Sequence, residues 1–492
     1  MKIALVIPRN SSDAQRNFYD YHFGKRFLLS RKHISYVLAI PALTSLTPPG
    51  HEIRVFDENI EDIDYTWKAD LVGITVRTMF ARGAYAISEN YRARGVKTVV
   101  GGIHPSMCPE DALPHCDSVV VGEAEEIWHT VLQDAENDQL KRIYKADRVA
   151  DLRVAPIPDR SSLSKGRYLL DIVQTTKGCP FQCEFCAVHA FDGRTIRHRG
   201  VDQVIREIQV INSRHAKYKK KNAIFFADDN IIADRSFAKR LFVALKPYNI
   251  NWMCQASINI SQDSELLELM RESGCGAVFI GFESTSRANL AMMSKGVNQR
   301  YDYLEAIRTI QSHGILVHSS FIVGYDFDTE GTFDELIDFI RESNLLMPLI
   351  NILTPLPGTR LFKRLEEQGR ILHKDWSKYD TQHVVFSPER MSPEELLEGY
   401  KRVMRSVYSF DSILRKLNHY WLSNFWERSN EIDPVKSAYR FLFAARLSTL
   451  LVSGNIERSQ FIMRILPHVF DKRVRISTII ALMNYNNFAY TL

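Results

Sequence analysis

No apolar run in this sequence approaches the roughly 18 residues needed to cross a bilayer, so the chain is expected to be soluble or at most to touch a membrane from one side. Nor is there a polybasic block. Lysines and arginines number 63 against 58 acids, a net charge of only +5 over 492 residues, which argues against a nucleic-acid partner. The seven cysteines are an odd number, and no apolar signal segment opens the chain. A disulfide framework is therefore not expected, and the usage fits a reduced, cytoplasmic protein. A second Cys-x2-Cys pair, as structural zinc sites use, is missing. Cys108, Cys116, Cys254 and Cys275 are scattered and read as small buried residues.

What is present is concentrated. Cys179, Cys183 and Cys186 fall within Cys179-Pro180-Phe181-Gln182-Cys183-Glu184-Phe185-Cys186. A [4Fe–4S] cluster takes four thiolate-class ligands, and ordinary electron carriers supply all four from cysteine. Three local thiolates leave one iron open. His189, three residues beyond Cys186, keeps a zinc site or a closed cluster as the alternative. The spacing, with Phe185 before the last cysteine, resembles that of the radical S-adenosylmethionine (SAM) superfamily, in which the unligated iron binds the amino and carboxylate groups of SAM.

At a soft prior of roughly 150 residues per domain the chain holds about three, and 45% hydrophobic content is enough to build their cores. Residues 1–144 alternate apolar runs with helical periodicity. The runs are Lys2 to Ile7, Glu52 to Asp57, Leu71 to Val76, Lys97 to Val100 and Ser118 to Val121. The expectation is a doubly wound, Rossmann-like α/β fold whose parallel strands are buried on both faces. Ligands sit beyond the carboxyl ends of such strands, and two ends are glycine-rich: the loop Gly101-Gly102-Ile103-His104-Pro105 and Gly122-Glu123-Ala124-Glu125, which also opens a helix. Together with a first strand ending in Pro8 and the Gly50-His51-Glu52 turn, these resemble the cobalamin (B12)-binding domain preceding the catalytic core in one radical SAM group that includes hopanoid methylases. The resemblance implies bound cobalamin, with Gly101, Gly102, His104, Gly122 and Glu123 as its contacts. The cobalt-ligating Asp-x-His-x-x-Gly of many such domains is absent. Asp20-Tyr21-His22-Phe23-Gly24 is one residue short, which leaves a histidine-off cobalamin or a domain without cobalamin.

Residues 145–166, with Pro156, Pro158 and Ser161-Ser162, read as a linker. Six strand-then-helix units follow over 167–375, with strands at Leu169 to Thr176, Ala223 to Asp229, Asn251 to Ile258, Ala277 to Ser284, Leu316 to Tyr325 and Leu349 to Pro355. Six rather than eight units match the partial TIM-type (β/α)6 barrel of the radical SAM core. Barrel chemistry lies at the carboxyl ends of strands. There the resemblance places Asp228 and Asp229 toward the amino group of SAM, and Ser257, Asn259 and Glu283 toward its other parts. Tyr325 is the one catalytic candidate. Asp229 and Asp326 have a second reading as helix caps. Arg197 and Arg199 are either anion contacts or solvated charges. Residues 376–492 are expected to be all-α: Ser392-Pro393-Glu394-Glu395 has the signature of a helix start, followed by helices from Leu396, Pro434 and Ile456.

The resemblance implies reductive cleavage of SAM to methionine and a 5′-deoxyadenosyl radical that attacks an unactivated carbon. It further implies cobalamin-dependent C-methylation of a lipid, terpenoid or other natural product, with flavodoxin or ferredoxin as electron donor. A cyclase, coupling, rearrangement or oxidation enzyme of the same group is the alternative. A non-catalytic iron–sulfur protein and a cluster-free B12 module are the alternatives of a different class.

Overall fold

Apolar residues on both sides of a strand need cover on both sides, and the first sheet receives it. The computed structural model describes residues 1–9, 33–147, 149–215, 223–423, 425–430, 437–451, 456–471 and 475–492. Strands β1 (Lys2–Ile7), β2 (Glu52–Asp57), β3 (Leu71–Thr75), β4 (Lys97–Gly101), β5 (Ser118–Val121) and β6 (Ile143–Lys145) form a sheet ordered β2-β1-β3-β4-β5-β6. All of its pairs are parallel. Ala4 and Val6 pack with the helix Ala81–Arg92 on one face. Ile3, Leu5 and Ile7 pack on the other with Ile40 of the helix Ala39–Leu46 and Trp128 of the helix Trp128–Glu136. The order reverses between β1 and β3, the place where open α/β sheets leave a crevice.

The second sheet is ordered β14-β13-β12-β11-β10-β7. Its strands are β7 (Asp171–Val173), β10 (Ala223–Phe226), β11 (Asn251–Gln255), β12 (Cys275–Glu283), β13 (Leu316–Val323) and β14 (Leu349–Ile352). The helices Val201–His215, Arg235–Leu245, Ser264–Glu272, Tyr303–Ser312, Glu330–Ser343 and Arg360–Glu367 follow them in turn, which makes the expected partial barrel. The described residues divide into two units, one of 1–9, 33–244 and 354–386, the other of 245–353 and 387–492.

In the second unit the described residues from Pro393 on are mainly helical. The helix Pro393–Val407 starts as its sequence predicts, with a capping box between Ser392 and Glu395 and proline in its first turn. The helices Phe410–Leu422 and Ile476–Thr491 were not foreseen. The latter carries no charged residue and is largely buried, with Tyr485 stacked 4.5 Å from Tyr408 and Asn486 Nδ2 donating to the Tyr408 carbonyl at 2.8 Å.

Three local expectations are corrected, and one strand, β6, is additional to those expected. Gly101-Gly102-Ile103-His104-Pro105 is not a loop throughout, because Ile103–Met107 is a short helix. The helix after Gly122 begins only at Trp128. The edge strand β6 is too short, at three residues, to show a period. The first barrel strand stops at Val173, and the chain then forms β8 (Thr176–Lys177), antiparallel to β9 (Arg197–His198). Asp20-Tyr21-His22-Phe23-Gly24 and Pro434 lie outside the described residues.

Candidate cluster and cofactor sites

The early end of β7 has a physical cause. Asp228, just beyond β10 and fully buried, accepts from the amides and hydroxyls of both Thr175 and Thr176. These bonds draw the chain out of the ladder and aim it into the cysteine loop. Burial raises the Asp228 pKa, and the four donors oppose that rise. Through its Oδ1, Asp228 therefore holds the strand exit.

Gly178 follows with φ +91°, and an added Cβ would meet the Thr195 carbonyl oxygen at 2.5 Å. Only glycine fits there. The Cys179 amide donates to the Gly193 carbonyl at 3.3 Å and that of Cys186 to the Cys183 carbonyl at 3.1 Å. Cys183 is buried, while Cys179 and Cys186 are half-buried. Glu184, between them, pairs with Arg364 at 2.6 Å, and its carbonyl accepts from the Leu361 amide at 3.0 Å. The helix Arg360–Glu367 thus clamps the loop. Among the described residues no three His, Cys, Asp or Glu side chains are gathered as around a single ion. The thiols of a cube of four irons stand further apart than that.

Asp229 differs from its neighbour. Its Oδ2 has no hydrogen-bond partner among the described residues. Burial, with Asp192 and Asp228 nearby, pushes its carboxyl up to about 7 against the pull of the Gly178 amide and Lys177. A cation placed there would restore its charge.

Beside this loop lies a cavity of about 280 Å³. Its apolar end is made by Leu38, Leu43, Ile74, Val99, Val120 and Trp128, and the glycines Gly101, Gly102 and Gly122 edge it. At Gly102, φ is +109° and a Cβ would lie 2.9 Å from the Val76 carbonyl oxygen, whereas at Gly122, with φ +84°, a Cβ would meet nothing within 4 Å. The first glycine lets two backbones touch, and the second leaves room for a ligand. Lys177, Asp192 and Arg199 form the polar end. A flat apolar group with a polar attachment, such as the nucleotide tail of cobalamin, fits this lining.

His104 does not line the cavity. It is fully buried, its Nε2 is 3.1 Å from Asp111 Oδ2, and its ring lies 5.2 Å from that of Trp376. It braces the Ile103–Met107 helix instead of meeting a cofactor. Glu123 does reach the cavity, but its carboxylate is already engaged. Both oxygens accept from Arg197 at 2.8 Å, Lys177 Nζ is 3.1 Å away, and the Ala150 amide donates at 3.0 Å. Glu125 takes Lys177 at 2.6 Å. The Gly-Glu-x-Glu segment therefore ties β5 to the residues on either side of the cysteine loop.

Arg199 was left open between anion contact and solvated charge, and it is 6% exposed. Its Nη1 donates to buried Glu207, which also takes Arg160. Its Nε and Nη2 are buried with no partner among the described residues. Glu207 thus lies between two guanidinium groups, of which Arg160 also has Asp171 at 3.9 Å, and Arg199 keeps two donor nitrogens at the cavity wall. Asp192 Oδ1 also lacks a partner, and burial raises this carboxyl to about 6.

In the second unit, Glu283 closes β12 with φ +66°, an uncommon conformation for a side chain of its size, at a register shift against β13. Its carboxylate meets Lys295 at 2.9 Å, and Asn298 Nδ2 donates to the Gly281 and Phe282 carbonyls. Such a conformation persists only where the surroundings enforce it, and it is enriched at functional sites. Ser257 Oγ donates to Asn259 Oδ1 at 2.6 Å. Tyr325 is 1% exposed and its amide, with that of Gly324, donates to Asp328. Asp328, which sequence reasoning missed, anchors this turn, and so enclosed a phenol cannot reach a substrate without rearrangement. His318, also missed, half-buried on β13, stacks on Phe279 at 4.6 Å, and burial lowers its pKa to about 4. Burial there favours the neutral ring.

The matching family models are the radical SAM superfamily over residues 173–340, a B12 binding domain over 46–132 and a domain of unknown function, DUF4070, over 359–489. Bacteriochlorophyllide d C-12(1)-methyltransferase of Chlorobaculum tepidum is 34% identical over 405 residues, 80% of this chain and 88% of the relative. Hopanoid C-2 methylase of Rhodopseudomonas palustris is 28% identical over 413 residues, covering 80% and 75%. The fold is shared with the radical SAM methyltransferase TsrM of Kitasatospora setae, solved with cobalamin and a [4Fe–4S] cluster bound. That likeness has a TM-score of 0.62 at 17% identity and covers 96% of this chain and 99% of that one.

Replacing Glu123 by glutamine leaves Arg197 without its carboxylate and Lys177 with Glu125 alone, and the expected loss is about 3 kcal/mol of stability near neutral pH. Burial raises the Glu123 carboxyl, but Arg197 and Lys177 outweigh it and hold it at about 2. Its stabilisation is complete above the ordinary value of 4.5 and fades as pH falls toward 2. Urea unfolding of wild type and E123Q should therefore differ near neutrality and converge in acid. A difference that stays constant across that window would contradict the ion-pair account.

Proposed function

This chain belongs to the radical SAM family that carries an amino-terminal B12-binding domain and includes C-methyltransferases, and from that membership we propose that it methylates an unactivated carbon of an apolar, fused-ring natural product. A [4Fe–4S] cluster, SAM and cobalamin are the cofactors of this family. The observation that carries the reading is that the cysteine loop and the glycine-edged cavity lie within one unit and share the ion pairs of Glu123 and Lys177. Relatives named for a bacteriochlorophyllide and for a hopanoid support the substrate class.

In this reading Cys179, Cys183 and Cys186 hold the cluster, and Gly178, Asp228 and Arg364 fix their loop. Asp229, with its unpartnered oxygen, receives the ammonium of SAM. Ser257, Asn259 and Glu283 take its remaining polar groups. Tyr325 belongs to the turn held by Asp328 and positions rather than reacts. Gly101, Gly102 and Gly122 admit the cobalamin tail, and Arg199 donates to the phosphodiester, which is the anionic group of that tail. The bound groups supply the redox chemistry, namely reductive SAM cleavage to a 5′-deoxyadenosyl radical and a methyl group held on cobalt. The chain excludes water, holds charge and sets geometry. The reading includes the division into 1–144, 145–166, 167–375 and 376–492, a cytoplasmic setting, and a flavodoxin or ferredoxin as electron donor.

Cys183→Ala is expected to abolish both the visible absorbance of the reconstituted cluster and 5′-deoxyadenosine formation, and SAM cleavage by this variant would rule out the triad's assigned role. For Arg199, affinity for hydroxocobalamin should fall about ten-fold in Arg199→Ala. Affinity for cobinamide, which lacks the phosphodiester and base, should stay unchanged. Equal losses for both corrinoids would mean that Arg199 acts only on structure.

A further inference from the structure

Positive charge is unevenly spread along this chain. Between residues 434 and 475 eight lysines and arginines stand against only Glu457 and Asp471, a surplus of +6, and no charged residue follows Arg475. The whole chain carries +5, so the residues before 434 sum to −1.

The same stretch exposes large apolar side chains. In the helix Ser437–Leu450, Phe443 and Leu447 are buried, whereas Phe441 and Leu442 are 71% and 52% exposed. In the helix Ile456–Ile465, Phe461, Ile462 and Ile465 are buried, while Ile456 and Met463 face water. Phe470 is half exposed, with its ring 4.9 Å from that of Phe441. These two rings therefore form a patch. Large apolar side chains exposed together mark an interaction surface, and Phe441 and Leu442 lie outside the covered side of Ser437–Leu450. Arg446 and Arg464 are exposed on the same two helices.

We propose that this face docks peripherally on an anionic lipid bilayer, its rings entering the headgroup boundary and its arginines meeting lipid phosphates. A second copy of the chain is a poor occupant, because it would set exposed Arg446 and Arg464 against the same two arginines. No helix among the described residues is long and apolar enough to cross a membrane. Only the purpose of docking rests on the function proposed above: a fused-ring apolar substrate partitions into lipid, and a docked enzyme meets it there.

The test is flotation of the full-length protein with unilamellar vesicles of phosphatidylcholine, alone or mixed equally with phosphatidylglycerol. Binding is expected on the mixed vesicles, at least about ten-fold weaker on phosphatidylcholine alone, and reversed by high salt. The double variant Arg446→Glu/Arg464→Glu should lose about ten-fold or more, and Phe441→Ser/Leu442→Ser should also lose binding. Both variants should keep wild-type SAM cleavage in solution. Absence of vesicle binding, equal binding to both vesicles, or a wild-type dimer by light scattering that F441S/L442S dissolves would each overturn the proposal. Undiminished SAM cleavage in those cases would leave the proposed function standing.

Discussion

One buried carboxylate carries more of this architecture than any other group. Glu123 leaves the end of β5 and is met by Arg197 from β9 and Lys177 from β8, the strands that enter and leave the cysteine loop. The price of burying a charge is met only when several partners converge on it, and here two cations and one amide do. If Glu123 were removed, the Lys177–Glu125 pair would be the ion pair left between the segment after β5 and β8 among the described residues. With Glu123 in place, the geometry of the glycine-edged cavity and that of the thiols are set by the same few bonds.

Around that knot the chain keeps polar groups in two conditions. Glu184 and Glu207 are engaged by arginines, and Asp228 Oδ1 by two threonines, so that all three serve to fix backbone. Asp229, Asp192 and Arg199 have buried atoms without partners among the described residues. Unsatisfied buried polar atoms are costly, and although others occur elsewhere in the chain, such as Tyr91 Oη and Arg167 Nε, those of Asp229, Asp192 and Arg199 lie beside the cysteine loop and the cavity, where a ligand would supply the missing bonds. The two acids are held near neutrality by burial, which lets them adopt the charge state that a bound group favours. Radical chemistry needs few proton transfers from the protein. A site built from fixed geometry and a few waiting donors and acceptors suits it.

Much of this was legible in the sequence because its signals are local. The cysteine spacing needs no tertiary information, the apolar runs became β1, β2 and β5 with their expected bounds, and Ser392-Pro393-Glu394-Glu395 formed its capping box. What escaped depends on distant partners. Asp228 looks like any acid at a strand end until Thr175 and Thr176 are brought to it across more than fifty residues. His104 looked like a cofactor contact because a histidine beside glycines usually faces a crevice. Trp376 and Asp111 instead enclose it. Arg197 and Arg199 are identical in type and two apart in sequence, yet one is saturated by Glu123 and the other keeps two donors unused.

The central claim, a radical SAM site coupled to cobalamin, is most directly tested by anaerobic reconstitution with iron, sulfide and hydroxocobalamin, then metal analysis and reaction with SAM deuterated in its methyl group. The account predicts about four irons and one cobalt per chain, with deuterium appearing on the cobalt-bound methyl group after reduction. Four irons and SAM cleavage with no retained cobalt would contradict it, and would assign the cavity beside the cysteine loop to some other ligand.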